Sequence, residues 1–525
     1  MSQYNSTRRS VLPKTVLLLI VILCVCTVSA GVATAQPDVS NKTKISENTD
    51  GTTVERLVHF DSSGVADVSG NKKNLTTSLQ QRATVAQQPL LERAGEKSGI
   101  TVERQFWIAN VALVTVDTST ADPAELSSIE NVDTITQNFR VQAINTTRKT
   151  TSSGEPRQNI TGNTEAHGDA TYGLDNLNVP EVWNEYDTRG EGVRVAVLDT
   201  GVAPQHPDIE LTATEGWAEW NDRGERIDTD PRDYSPVGHG THVSGTVSGG
   251  DASGTHIGVA PETELMHGAV LNQCNDRCFG SGAQILSGME WAVSNDADVL
   301  SMSLGGSGYI GAYIQAINNA ERAGTVVIAA SGNRGPGTSD SPANVYDTVA
   351  VGATDRYNTV ADFSSGERIV TDETWRSPPA EWPKEYVVPD VVAPGVNVQS
   401  ATPDGGYQYL SGTSMATPHI AGIAVLMESG TEEDLTPAEI KDGLTASTVN
   451  INESQVRSGN GLATADNAVA AVADQPKRGV EYYTNNDGRV DTNQLFRAVT
   501  DWRADQISDT LLQDVISYWR SSEIV

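Results

Sequence analysis

The sequence predicts an α/β fold, a parallel sheet flanked by helices, and three observations carry that expectation. Val193, Val195, Val197 and Leu198 form an apolar run of the kind a parallel sheet buries on both faces, and Asp199 ends it, at the carboxyl edge where open α/β sheets place their sites. A second apolar run, Thr325 to Ala330, leads into Ser331-Gly332-Asn333. Two glycine-led helix starts, Gly238-His239-Gly240 and Gly412-Thr413-Ser414, precede and follow that second run.

Each element has the local character that one chemistry requires. Asp199, His239 and Ser414 occur in the chain order of one known arrangement of a charge-oriented nucleophile. Gly238 and Gly240 leave room for the imidazole, and Ser244 and Gly245 permit close packing of the helix that follows. Ser414 opens a helix whose unpaired backbone N–H groups favour a developing anion, and Pro418 is tolerated in that first turn. In such a set the histidine takes the serine proton as the hydroxyl attacks a carbonyl, while the aspartate fixes the imidazole tautomer. The Asn333 amide can donate to the resulting oxyanion beside the Ser414 backbone N–H. Reading His239 and His242 as a metal pair finds neither an H-E-x-x-H helix nor a third ligand.

On these four segments the chain resembles the subtilisin-like serine proteases, and by its charge the halolysin-type members from high-salt environments. The resemblance runs from about Tyr172 to Val472, with Ser303-Leu304-Gly305-Gly306 and Val391-Val392-Ala393-Pro394-Gly395 as further matches. It implies a seven-stranded parallel sheet and endopeptidase activity on proteins and peptides, with no cofactor required for the chemistry. It also implies that Gly280-Ser281-Gly282 and Ser303-Leu304-Gly305 are the two edges that sandwich an extended substrate as an added strand. Asp340 then falls near the base of the pocket for the side chain before the scissile bond, and Arg334 near its rim. Asp340 either selects basic side chains or is taken up by Arg334 or by solvent. Asp208 matches a calcium ligand, so the resemblance allows a structural calcium; Ala252, however, stands where an amide ligand belongs, with Asp251 beside it as a substitute.

Cys274 and Cys278 sit just before the first of those edges. In an exported protein the pair reads as a disulfide closing a tight loop, against free thiols or a metal pair as alternatives.

Composition sets the environment. Lys and Arg number 36 against 68 Asp and Glu, a formal net charge of -32, and beyond residue 170 the only lysines are Lys384, Lys441 and Lys477. Such a surface repels itself at low salt and is tolerated when counter-ions screen it, with a Debye length of ~3 Å at 1 M. The same charge argues against nucleic acid or an anionic membrane as partner.

The flanking segments read as follows. Residues 1–35 form a signal peptide: Arg8, Arg9 and Lys14 precede the apolar stretch Val16 to Val28, and Ala33-Thr34-Ala35 is a cleavage site. Thr7-Arg8-Arg9-Ser10-Val11-Leu12 suggests twin-arginine export, with plain Sec export as the alternative. No stretch of the mature chain reaches the ~20 apolar residues of a membrane span. Residues 36–144 carry strand, helix, strand, short-helix and strand patterns and resemble a subtilisin propeptide, a ferredoxin-like domain that assists folding and inhibits the enzyme until cleaved. Residues 145–170 form a polar linker holding the processing region, and 171–473 the catalytic domain. Glu367 to Val388 reads as an inserted surface loop. Residues 477–525 form a module of two amphipathic helices, carrying Leu495, Phe496, Val499 and Trp502, then Leu511, Leu512, Val515, Ile516 and Trp519. The expected protein is a secreted, self-processed serine endopeptidase, with a catalytically dead surface-interaction protein or a selective processing protease as alternatives.

Overall fold

Strands rich in Val, Ile and Ala, too apolar for a solvated face, impose a sheet covered on both sides. The computed structural model describes residues 52–61, 72–144, 169–473 without 214 and 432–434, and, towards the end of the chain, 490, 495, 498, 499, 502 and 509–522. The expected signal peptide, the expected linker up to residue 168 and the start of the expected C-terminal module lie outside the described residues.

The first module is β1 (Thr53–Phe60), α1 (Lys72–Glu96), β2 (Ile100–Phe106), β3 (Val111–Asp117), a 3-10 turn at Pro123–Ser128, β4 (Val132–Thr136) and β5 (Arg140–Ala143). Its antiparallel sheet has the order β2-β3-β1-β4. Val58, Leu90, Val114 and Leu126 fill the core under α1. The last strand pattern expected of this module, from Val132 to Val141, falls on two strands, because β5 leaves this sheet and pairs elsewhere.

The catalytic region opens with α2 (Tyr172–Asn176) and α3 (Val179–Glu185), then β6 (Arg194–Asp199), β7 (Trp217–Trp220), β8 (Arg226–Ile227), α4 (His239–Ser248) and β9 (Glu264–Ala269). The hairpin β10 (Gln273–Cys274) and β11 (Cys278–Ser281) precedes α5 (Gly282–Ser294), β12 (Val299–Met302), β13 (Leu304–Ser307) and α6 (Ala312–Arg322). Next come β14 (Val326–Ala330), β15 (Asp340–Ser341), β16 (Val349–Thr354), β17 (Glu367–Val370), α7 (Thr371–Thr374), β18 (Glu385–Val388) and β19 (Val391–Pro394). The hairpin β20 (Val398–Ala401) and β21 (Tyr407–Leu410) leads into α8 (Thr413–Ser429), α9 (Pro437–Ala446), β22 (Thr448–Val449), α10 (Gln455–Ser458), β23 (Leu462–Ala463) and α11 (Ala465–Ala473).

The main sheet has ten strands, in the order β22-β23-β19-β16-β14-β12-β6-β9-β7-β8, rather than the seven the resemblance implied. Its pairings from β23 to β7 are all parallel; the short edge strands β22 and β8 add antiparallel hairpin partners. The carboxyl ends of β6 and β14 carry Asp199 and lead to Asn333, and α8 crosses the sheet with Ser414 in its first turn.

Glu367 to Val388 is not a loop. It forms the β17–β18 hairpin around α7, and Trp375 and Trp382 pack edge to face, buried against the body of the domain. The sequence hid this because a Pro- and Trp-rich stretch has no strand period. The last helix, α12 (Asp509–Ser522), buries Leu512 and Val515 against Val490 and Ala498, with Ile516 and Trp519 partly covered.

Candidate active site

Asp199, at the end of β6, is wholly buried, and its Oδ1 accepts from His239 Nδ1 at 2.7 Å and from the Thr200 N–H at 2.7 Å. Glycine is required on both sides of His239. Gly238 has φ +65°, and a Cβ on Gly240 would lie 2.1 Å from the Gly201 carbonyl oxygen. Burial disfavours the imidazolium, but the charge and hydrogen bond of Asp199, with Asp233 further off, outweigh it, so His239 titrates above the ordinary histidine range. His242 is a different case. Its Nε2 faces the Val398 carbonyl at 3.0 Å, and burial lowers its pKa to about 3.

Ser414 is buried at the start of α8. Its hydroxyl donates to the Ser303 carbonyl at 3.1 Å and to the Ile144 carbonyl at 3.3 Å, and His239 Nε2 has no hydrogen-bond partner among the described residues. The Asn333 Oδ1 accepts from the Thr413 N–H at 2.9 Å and the Thr413 hydroxyl at 3.0 Å, which fixes the amide beside the nucleophile. These two bonds make Nδ2 the donor end of the side chain.

The cleft is occupied by the chain itself. A five-stranded sheet has the order β10-β11-β5-β13-β15. Within it β5 is antiparallel to both neighbours, with Val141 opposite Gly280, Arg140 opposite Ser281, Ala143 opposite Leu304 and Gln142 opposite Gly305. The Gly282 N–H donates to the Phe139 carbonyl at 2.7 Å, continuing the same edge. Glycines permit the approach: a Cβ on Gly305 would lie 3.2 Å from Ile144 Cδ1, and one on Gly282 2.7 Å from the Phe139 ring. Cys274 and Cys278 close the β10–β11 hairpin as a disulfide with sulfurs 2.09 Å apart.

At the pocket end, Asp340 is buried and its Oδ1 meets Arg334 Nη2 at 2.5 Å. Of the two readings of Asp340, the structure has the paired one. Asp208 is also occupied: its Oδ1 accepts from the Ala252 N–H at 2.6 Å and its Oδ2 from the Tyr407 hydroxyl at 2.5 Å. Among the described residues no three His, Cys, Asp or Glu side chains gather where they could hold a metal ion. A carboxylate engaged by two donors, with alanine at the amide position, does not fit a calcium cage.

Three functional neighbours escaped the sequence reading. Asp233, half-buried, accepts from the Thr200 hydroxyl at 2.8 Å, the Thr241 N–H at 2.8 Å and the Thr241 hydroxyl at 2.7 Å, tying the Asp199 turn to α4. His267, on β9, accepts the Gly201 N–H at 3.1 Å while its Nδ1 meets the Ser244 hydroxyl at 2.9 Å. Glu290, on α5, receives the N–H groups of Trp107 at 2.5 Å and Ile108 at 3.3 Å from the first module, and Asn319 donates to the Ile108 carbonyl at 2.8 Å. Around these bonds Phe106, Ile108 and Leu113 share one apolar cluster with Leu286, Tyr313 and Ile317. In so acidic a chain neither carboxylate carries a distinguishing signal.

A doubly wound sheet with a buried Asp–His pair, a helix-start serine and an adjacent asparagine amide defines the class of serine endopeptidases. The chain belongs to the subtilase family: the profile described as "Subtilase family" matches residues 190–471. Among curated relatives it is 39% identical over 258 residues to M-protease of Shouchella clausii, covering 49% of this chain and 59% of that protein. It is likewise 39% identical over 258 residues to Subtilisin Savinase of Lederbergia lenta, covering 49% of this chain and 83% of that protein. With the major intracellular serine protease of Bacillus subtilis it shares 33% over 316 residues, 58% of this chain and 91% of the relative. No helix among the described residues is long and apolar enough to cross a membrane.

Proposed function

We propose that the chain is a secreted, salt-adapted serine endopeptidase made as a self-processing precursor. One observation carries the reading: β5 lies between both edges of the cleft and delivers the Ile144 carbonyl to the Ser414 hydroxyl. This is a substrate's pose, and it supports cleavage between Ile144 and Asn145, with residues 36–144 as propeptide and intramolecular inhibitor.

The chemistry follows from the residues. Ser414 Oγ turns from its carbonyl acceptors toward His239 Nε2, gives up its proton there and bonds to the Ile144 carbonyl carbon. The oxyanion is held by Asn333 Nδ2 and the Ser414 N–H. As the C–N bond breaks, His239 returns the proton to the departing amine of residue 145, leaving Ser414 acylated. A water deprotonated by His239 then attacks the ester, releasing the new carboxylate and restoring the Ser414 hydroxyl. Protein and peptide substrates enter the same cleft once β5 has left.

Secretion rests on the signal peptide, and salt adaptation on the net charge of -32. The small helical core around α12 supports a packing or docking role for residues 477–525, with retention at the cell surface as its consequence. The test is to incubate the precursor in high and low salt with a fluorophosphonate probe, beside Ser414→Ala. Labelling and shortening of the unmodified chain alone, in salt, with Asn145 as the new N-terminus, is the expected result. No labelling at any salt concentration would overturn the reading in favour of a catalytically dead surface protein.

A further inference from the structure

The Asp199 carboxylate is gripped at one oxygen. Its Oδ1 takes both the His239 and the Thr200 hydrogen bonds, while its buried Oδ2 has no hydrogen-bond partner among the described residues. The direction of the carboxylate is therefore set by the turn that carries it, Asp199-Thr200-Gly201. Thr200 is fixed on the α4 side: its hydroxyl donates to Asp233 at 2.8 Å and accepts the Gly240 N–H at 2.9 Å. Gly201 is fixed from β9, where its N–H donates to His267 Nε2 at 3.1 Å. Its backbone is closely walled, with φ +106° and no space for a Cβ against the Arg232 carbonyl oxygen.

His267 is itself held on every side. It is wholly buried, its strand pairs it with Val197 of β6 and Trp217 of β7, and its ring stacks on Trp217 with centroids 6.2 Å apart. Burial lowers its pKa to about 4, so the ring is neutral and one nitrogen is free to accept. A backbone N–H can only donate, so Nε2 is that acceptor, and the proton sits on Nδ1, directed at the Ser244 hydroxyl 2.9 Å away on α4. An apolar side chain at this place in the core would leave the Gly201 N–H buried without a partner.

We propose that His267 is a positioning residue for the Asp–His–Ser set: its Nε2 holds the Gly201 N–H, and through it the turn that aims the Asp199 carboxylate at His239. The inference rests on the endopeptidase reading and on Asp199 as the group that orients the catalytic imidazole. Without the acceptor, the Gly201 peptide relaxes to find another partner and carries the carboxylate with it, and sub-ångström errors of aim at a reacting set are expensive in rate.

The experiment measures kcat and KM on one peptide, and kcat/KM against pH, at constant high salt. Unmodified enzyme, His267→Leu, His267→Gln, Ser244→Ala and Asp199→Asn are assayed, with fluorophosphonate labelling carried to completion to count active sites. His267→Leu fills the space but accepts nothing, and should lower kcat at least roughly ten-fold with KM changed by less than about two-fold. His267→Gln offers a carbonyl to the same N–H and should recover most of that loss. Ser244→Ala lets the ring turn and should cost about three-fold in kcat. Burial opposes the His239 imidazolium, Asp199 and then Asp233 favour it, and His242 and His267 beside it are neutral. The acid limb should thus move to lower pH in His267→Leu and, less far, in Ser244→Ala, because a misaimed carboxylate supports the imidazolium less. Unchanged kcat and acid limb in a labelled His267→Leu enzyme, or equal losses in His267→Leu and His267→Gln, overturn the assignment. If His267→Leu does not fold, Ser244→Ala decides, and an unchanged kcat and acid limb there overturn it. Undiminished kcat in Asp199→Asn, or absence of both labelling and hydrolysis in the unmodified chain, instead overturns the reading beneath it.

Discussion

The Ile144 carbonyl oxygen lies 3.3 Å from the Ser414 hydroxyl that donates to it, across 270 positions of sequence. The contact is made because β5 leaves the sheet of its own module to become the central strand of the cleft sheet. The described residues therefore hold a nucleophile covered by the chain's own backbone.

From that contact follows the first prediction. Ile144→Asp places a charge beside Gly305 and the buried Asp340, so like-charge repulsion and desolvation should slow precursor shortening by ten-fold or more. The time course of the shortened band on a gel, with N-terminal sequencing, is the check. Equal rates for Ile144→Asp and the unmodified chain would show that the cut lies elsewhere.

His239 must be neutral to accept the Ser414 proton, and Asp199 holds its pKa above the ordinary 6.5. Activity should therefore be lost as pH falls through that raised value and be full above it. Asp199→Asn removes the carboxylate that orients the ring and should lower kcat by about 10⁴-fold. The pH profile of kcat/KM on the mature enzyme checks the sign.

Asn333→Ala deletes the side-chain donor while leaving the Ser414 N–H in place. The expected loss is about 10²–10³ in kcat, the order established for such a donor, with KM little changed because the ground-state carbonyl needs it less. Steady-state kinetics on one peptide decides; a loss confined to KM would assign Asn333 to substrate binding instead.

On the propeptide reading proposed above, Glu290 should make attachment of the first module pH-dependent. Burial at the docked surface pushes its pKa from 4.5 up to about 7, despite the nearby Arg104 and the Trp107 and Ile108 N–H groups, which favour its charge. After separation the carboxyl regains water and its ordinary value. The docked state thus keeps a proton that the separated state loses between these values, so binding weakens as pH rises through that window and levels off above it. Titrating residues 36–144 against mature Ser414→Ala enzyme should show this rise in Kd, and Glu290→Gln should flatten it.

Much of the site was legible because its constraints are local. Asp199 follows an apolar strand, His239 needs glycine on either side, and Ser414 needs a helix start; each leaves its mark within a few residues. The two cleft edges were expected from the resemblance alone, and the structure places β5 between them. The β17–β18 hairpin was not, because Trp375 and Trp382 are buried by packing against each other and the domain body rather than by a strand period.

By itself, then, the sequence determined the α/β class, the chain order of the Asp–His–Ser set and the acidic surface, all of which follow from short-range pattern and composition. Only the tertiary structure decided that Val132 to Val141 divides between two sheets, that Arg334 occupies Asp340, that Tyr407 and Ala252 occupy Asp208, and that Asp233, His267 and Glu290 belong to the working parts. These are pairings between residues distant in the chain or between one carboxylate and many competing partners. Among 68 acidic residues, burial and distance, which exist only in the folded chain, single out the few that matter.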